Sequence, residues 1–247
     1  IAVYPTLDAA TRSLPALFDS QAATLELMDS RSIAVGRTFD SVPEQITGFE
    51  LSGQAALLIE YHANETEQLR ELEQAGSKLL ADFDLETPAA FTTDAAEAAK
   101  AWAFRKGLYA QVAEARPSGT TALLEDIAVP VEDLADTCGG LQGLFDEYSY
   151  DDAVIFGHAK DGNIHFLVVE DFRDRKGLDR YERFTEDMVD LVLAADGTLK
   201  AEHGTGRIMA PFVERQYGPE LYNVMVKLKN AADPDRMLNP GTIITDD

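Results

Sequence analysis

Residues 151–170 read DDAVIFGHAKDGNIHFLVVE, two β-rich apolar runs, Ala153 to Phe156 and Ile164 to Val169, on either side of an Asp161-Gly162 pair. Asp-Gly between such runs is the strongest short-range signal for a β-hairpin closed by a two-residue turn. With those residues at the corner, Lys160 faces Asn163, Ala159 faces Ile164 and His158 faces His165. Directly opposed side chains have Cβ atoms about 4.5–5.5 Å apart, so this register puts two imidazoles within reach of one ion. Side chains alternate along a strand, so Lys160 and Asn163 share a face with both histidines. A polar hairpin tip is also an ordinary solvated feature, and the pair alone leaves both readings open.

The flanking chain reads as alternating strands and helices. Strands are expected at Ala2 to Tyr4, Thr24 to Met28, Gln54 to Tyr61 and Leu123 to Val129, with a further short one ending at Phe91. Helices are expected from Asp8 to Ser20 despite Pro15, from an Asn64 cap to Phe83, from Thr93 or Asp94 to Ala115, from Pro130 to Tyr148, from Lys176 to Ala195 and from Pro219 to Ala232. Asp29 or Ser30 can cap a short helical segment after the second strand. Two strand-helix-strand units and a hairpin imply an α+β fold of ferredoxin-like type. In it a largely antiparallel sheet is layered with helices on one face, and a helical segment follows at the C-terminus. The division expected is an α+β domain over residues 1–200 and a helical segment and tail over 201–247 that completes the site.

Charge narrows the partners. Lys plus Arg number 21 against 44 Asp plus Glu, a net charge of −23, so phosphate backbones and anionic lipid surfaces repel this chain and nucleic acid is excluded as a partner. No apolar run approaches the length needed to cross a bilayer. Cys138 is the one cysteine, which rules out internal disulfides and cysteine-ligated clusters; it reads as a small core residue.

Three of the four histidines, His158, His165 and His203, fall in two glycine- and acid-rich segments, the second reading AEHGTGRIMAPF from Ala201 to Phe212. Two neutral imidazoles and a carboxylate make a three-ligand set with open positions, the arrangement of a catalytic metal site. Glu202 is the natural third ligand beside His158 and His165. His203 points elsewhere and stays free for proton transfer. The glycines at 204 and 206 lack the strand-to-helix setting of a dinucleotide fingerprint.

These segments, GHAKDGNIH (157–165) and AEHGTGRIMAPF (201–212), together with DPDRMLNPG (233–241), WAFR (102–105) and EDIAVP (125–130), resemble the C-terminal domain of the FAD-linked oxidases. That group includes D-lactate dehydrogenases, the glycolate oxidase flavoprotein subunit and D-2-hydroxyglutarate dehydrogenase. The resemblance implies a flavoenzyme that oxidises a D-2-hydroxy acid, D-lactate first, to the 2-oxo acid by hydride transfer to FAD. It implies a divalent metal, Zn²⁺ first, on His158, His165 and Glu202, with His203 as catalytic base. It also implies that Arg105 and Asn163 contact substrate and that Asn239 lies on the cofactor side. The sequence departs from the family pattern at Lys160, where many members have glycine, and at Thr242, where lysine is common.

The flavin-binding domain, expected as an N-terminal part of the same polypeptide, is absent from this chain, which alone is expected to be inactive. A fused iron-sulfur domain and a respiratory electron acceptor are the further partners the family suggests, in a cytoplasmic protein peripheral at the inner face of the membrane. The alternatives are a metal-binding or interaction module that keeps the fold without redox chemistry, and an alkyl transferase on the same scaffold. The histidine-rich hairpin argues against the transferase.

Overall fold

Six short apolar runs become strands, and each pairs antiparallel with its neighbours in the computed structural model, which describes residues 1–245. β1 (Ala2–Tyr4), β2 (Thr24–Met28) and β3 (Ala55–Glu60) lie in the order β1-β3-β2. β4 (Thr121–Ala128), β5 (Val154–His158) and β6 (Asn163–Glu170) repeat it as β4-β6-β5. The two units join through β2 and β5 into one sheet. Each is a split βαβ unit: its first two strands run parallel, its third is inserted between them, and a helical crossover links the first two. The crossovers are α1 (Leu7–Arg12) with α2 (Leu14–Asp19), and α7 (Leu134–Glu147); α1 packs on α7. The expected doubling and antiparallel sheet are both present.

The remaining helices are α3 (Ser30–Gly36), α4 (Glu44–Thr47), α5 (Thr66–Leu80), α6 (Ala95–Ala115), α8 (Arg175–Ala194) and α9 (Val213–Ala232). One sheet face presents Leu25, Leu27, Leu57, Ile155, Ile164 and Phe166 to Leu14, Leu17, Leu141, Phe145, Phe184 and Met188, and Cys138 is buried there as expected. The opposite face carries a second cluster in which Met28, Leu58, Phe156 and Leu167 meet Ile33, Phe104, Leu108 and Val112 of α3 and α6. Helices therefore lie on both faces, not one. The cause is local: the β2–β3 connection is long enough to fold α3 back over the sheet, and α6 lies beside it.

Several boundaries differ from expectation for identifiable reasons. Asp8 to Ser20 forms two helices, because Pro15 cannot donate to a preceding turn and sits instead in the first turn of α2, behind a break at Ser13. α5 begins at Thr66 after Glu65, without an Asn64 cap. Phe91 joins no strand and packs edge-on against Tyr61 at 5.3 Å. Asp29 and Asp94 do cap: their carboxylates accept from Ser32 N–H, and from the N–H groups of Ala96 and Glu97. Among the described residues no helix is long and apolar enough to cross a membrane.

The hairpin turn is longer than two residues. Ala159–Asp161 forms a 3₁₀ turn ending at Gly162 with φ +66°, and Phe156, not His158, faces His165. The register has moved by two residues, an even number, so the faces are preserved and His158, Asn163 and His165 still point the same way. Lys160 does not join that face as a free cation; its ammonium donates to the Ala23 carbonyl at 3.1 Å.

Gly162 has no alternative: a Cβ there would lie 1.8 Å from the Val129 carbonyl oxygen, in a left-handed backbone. Gly162→Ala is expected to destabilise the chain by more than about 2 kcal/mol. Gly139→Ala, in the middle of α7 with open space around it, should be neutral or stabilising by up to about 1 kcal/mol. Urea denaturation of both variants measures the contrast.

Candidate metal and substrate site

Cross-strand pairing builds the site. On the face shared with α6, register sets Glu26 of β2 opposite His158 of β5, and Asp126 of β4 opposite His165 of β6. Each imidazole thus has a carboxylate as its cross-strand neighbour. His158 Nδ1 lies 2.6 Å from Glu26 Oε1, and His165 Nδ1 lies 3.3 Å from Asp126 Oδ1, close but out of line for a regular hydrogen bond. With the Nδ1 side of both rings turned to a carboxylate, both Nε2 atoms come 3.2 Å from one oxygen, Glu202 Oε1. The three expected ligands do converge, with one donor atom from each within 4.8 Å of the others.

Glu202 and His203 lie in an irregular segment, and the sheet edge holds it. Residues 198–200 bridge to β4 at Ala128 and Asp126, and Ala201 N–H donates to the Asp126 carbonyl. Asp126 Oδ2 then accepts the backbone N–H groups of Glu202 and His203, each at 2.8 Å. On the other face, the adjacent Glu125 takes the Lys200 ammonium at 2.6 Å. His203 stacks on His165 with ring centroids 4.8 Å apart and stays 40% exposed. Its nitrogens lie 3.8 Å from Asp126 and from Glu202, beyond hydrogen-bond range.

α6 supplies Arg105, whose guanidinium is 2.9 Å from Glu26 Oε2 and stands over the Phe156 ring at 5.0 Å. Burial pulls its pKa below the ordinary value and Glu26 works against that. Glu26 hydrogen-bonding raises the His158 pKa, burial opposing it. Burial pushes the Asp126 carboxyl up, yet His165, the two backbone N–H groups and the Asn163 amide outweigh it and hold Asp126 well below the usual carboxylate range. Asn163 donates to Asp126 Oδ1 and to the Ile127 carbonyl, both at 2.7 Å. Its amide therefore frames the site from within the sheet.

Asn239 is placed elsewhere. It sits at φ +44° in the tail, in a pocket with Lys229, Arg236, Pro240 and Gly241. His62 also stands apart, near Glu60.

The family model "FAD linked oxidases, C-terminal domain" matches residues 1–243. The chain belongs to this family. Among curated members, the FAD-linked oxidase C-terminal domain described here is 27% identical over its whole length to the glycolate oxidase subunit GlcD of Bacillus subtilis (strain 168), covering 51% of that protein. It is 26% identical to a D-2-hydroxyglutarate dehydrogenase of Haemophilus influenzae, with 98% of the chain and 24% of the relative covered. To the mitochondrial D-lactate dehydrogenase [cytochrome] of Arabidopsis thaliana it is 29% identical, covering 98% and 41%. The chain thus spans about half the length of these relatives or less. An alkyldihydroxyacetonephosphate synthase structure shares its fold with TM-score 0.59 at 13% identity, covering 96% of this chain and 42% of that one. A 4-ethylphenol oxidase from Gulosibacter chungangensis does so with TM-score 0.58 at 14% identity, covering 99% and 53%.

Sequence reasoning missed Glu26 and Asp126. Both interrupt apolar strands, TLELM and TALLEDIA, and a charge inside a buried run was the available signal. Glu26 and Arg105 are a nearly buried ion pair, with side chains 5% and 8% exposed. Removing one partner of such a pair costs about 3 kcal/mol or more. Glu26→Gln is expected to lower the unfolding free energy of the metal-free chain by that amount, as read from the denaturant midpoint at constant m-value.

Proposed function

We propose that this chain is the substrate- and metal-binding part of an FAD-dependent dehydrogenase that oxidises a D-2-hydroxy acid to the 2-oxo acid, with D-lactate first among the candidates. The observation that carries the reading is the meeting of His158 Nε2 and His165 Nε2 at Glu202 Oε1, with His203 beside them and half exposed. Membership of the family supports it, as do relatives named for glycolate, D-2-hydroxyglutarate and D-lactate.

The donor set fits a divalent cation. Two imidazole nitrogens and a carboxylate oxygen are borderline-soft and hard donors of the kind Zn²⁺ takes, and three protein ligands leave room for a substrate. When bound, the metal supplies Lewis acidity to the substrate hydroxyl and FAD supplies the hydride acceptor. The rest is done by this chain. His158, His165 and Glu202 hold the cation. His203, free of internal hydrogen bonds through its ring, takes the hydroxyl proton as the C2–H bond breaks. Arg105 offers its planar guanidinium to the substrate carboxylate, with Phe156 beneath it and Glu26 fixing one end. Asn163 keeps the floor of the site in register through Asp126 and Ile127. Asn239, in the tail, would be a contact for the flavin. The partners this reading calls for are a flavin domain of the same polypeptide and an electron acceptor further on; a fused iron-sulfur domain is one form the latter takes.

The full-length protein is expected to bind about one Zn²⁺ per chain, and the paired substitution His158→Ala with His165→Ala to abolish that binding. Undiminished affinity in the double variant would remove the reading's basis. In anaerobic mixing, a D-2-hydroxy acid should bleach the flavin absorbance while its L-enantiomer leaves it unchanged; His203→Ala should slow bleaching by about 10²-fold or more, and Arg105→Ala should raise the substrate concentration needed. No bleaching by lactate, glycolate, 2-hydroxyglutarate or malate would favour a module without redox activity.

A pH dependence follows from His158. Glu26 raises its pKa, so the protonated imidazole survives to higher pH than a free one, and a metal must displace that proton. Apparent Zn²⁺ affinity should therefore fall as pH drops, beginning above the ordinary histidine range near 6.5. Competition against a chromophoric chelator between about pH 5.5 and 8.5 measures this. Glu26→Gln should move the onset to lower pH.

A further inference from the structure

We infer that Asp126 is the positioning residue of this site, a buried latch that sets both where Glu202 and His203 stand and which way His165 presents its nitrogens. The inference rests on the use of Glu202 and His203 proposed above. Asp126 is fully buried, on a face of β4 that otherwise carries Ala122, Leu124 and Ala128, where an unpaired carboxylate is costly. Its oxygens are divided between two tasks. Oδ2 accepts the N–H groups of Glu202 and His203 at 2.8 Å each; Oδ1 accepts from Asn163 at 2.7 Å and faces His165 Nδ1 at 3.3 Å.

The segment that carries Glu202 and His203 has no regular structure of its own, and Gly204 and Gly206 leave it with positive φ at two places. Without a hold at 202–203 the chain beyond the β4 edge can take many paths. Two charge-assisted hydrogen bonds from consecutive amides to one carboxylate select a single path. That path brings Glu202 Oε1 to within 3.2 Å of both histidines.

The second task concerns His165. Its Nδ1 is buried, and Asp126 Oδ1 is the acceptor it faces. A proton on Nδ1 meets a carboxylate; a lone pair there would face another lone pair. Asp126 thus favours the tautomer with its free lone pair on Nε2, the atom turned to Glu202.

Asp126→Asn separates position from bulk. An amide has one acceptor oxygen and one donor nitrogen. If its oxygen keeps the two backbone N–H groups, its NH₂ meets the Asn163 amide and His165 Nδ1, both donors. Asn163 does not simply flip, because its NH₂ also donates to the Ile127 carbonyl. The clash drives His165 to the other tautomer and turns an N–H toward the ligand position.

The test uses the full-length protein with Zn²⁺, and Co²⁺ as a spectroscopic stand-in. Asp126→Asn is expected to weaken Zn²⁺ binding about 10- to 100-fold, to alter the visible Co²⁺ spectrum, and to speed hydrogen exchange at the amides of Glu202 and His203 while exchange in the strands stays as in wild type. Affinity within twofold of wild type, with an unchanged spectrum and unchanged exchange, would overturn the inference. If the variant does not fold, wild type decides: the amides of 202 and 203 should exchange more slowly than that of Gly204, and equal, fast exchange at all three overturns the latch. Wild type that binds neither metal counts against the proposed function, and amide exchange then reads the latch on its own.

Discussion

A carboxylate stands opposite each of two histidines across an antiparallel ladder, and most of what the site does depends on that placement. Glu26 with His158 and Asp126 with His165 form a row across four neighbouring strands, β2, β5, β6 and β4. Strand alternation would otherwise make this end of the face as apolar as the region under α3 and α6. Burying two carboxylates there is tolerable because Glu26 meets an imidazole and a guanidinium, while Asp126 takes three hydrogen-bond donors and faces a fourth. Both partners face Nδ1, so Nε2 of each ring is left pointing outward. Two strands alone would give a pair of solvated rings; the flanking carboxylates give the pair a direction.

Charge on the face then favours a cation. Glu26, Asp126 and Glu202 bring three carboxylates, and Arg105 is the guanidinium set among them. Imidazoles can supply the remaining positive charge by protonation, which the raised pKa of His158 reflects. In the proposed reading a divalent ion supplies it without protons. The wider chain, at −23, pushes the same way, since a strongly negative surface attracts cations and repels an anionic substrate. Arg105 is held against Glu26 at the edge of this cluster.

Much of this was legible from residue order, and the failures have physical causes. Most strand and helix positions and the Asp94 cap follow from periodicity and capping chemistry, which act locally. The hairpin turn was read two residues too short because Asp-Gly is also the end of a 3₁₀ turn when the glycine must pass close under a carbonyl, here that of Val129. The error did no harm to the site, since a shift of two leaves every side chain on its face. Helices on the second face were invisible because nothing in α3 or α6 states which side of a sheet a connection will cross. Glu26 and Asp126 escaped notice because an acid in a strand ordinarily faces water, and their partners lie 132 and 39 residues away in sequence, at His158 and His165.

The two βαββ units share a topology and differ in the length of their second connections. Between β2 and β3 the chain runs from Asp29 to Gln54 and carries α3 and α4; between β5 and β6 it spends only Ala159 to Gly162. The longer connection places Ile33 and Ile46 in a cluster that spans both units, with Met28 and Leu58 of the first, Phe156 and Leu167 of the second, and Phe104 and Leu108 of α6. The shorter one has no helix to fold back over the hairpin end, where the polar row of Glu26, His158, His165 and Asp126 lies. What reaches that row comes from outside both strand connections: Arg105 from the helix that links the units, and Glu202 with His203 from the segment after α8. The two units together supply the floor, with β2 of the first and β4, β5 and β6 of the second each giving one member of the row, and side chains from outside the strand connections complete the site.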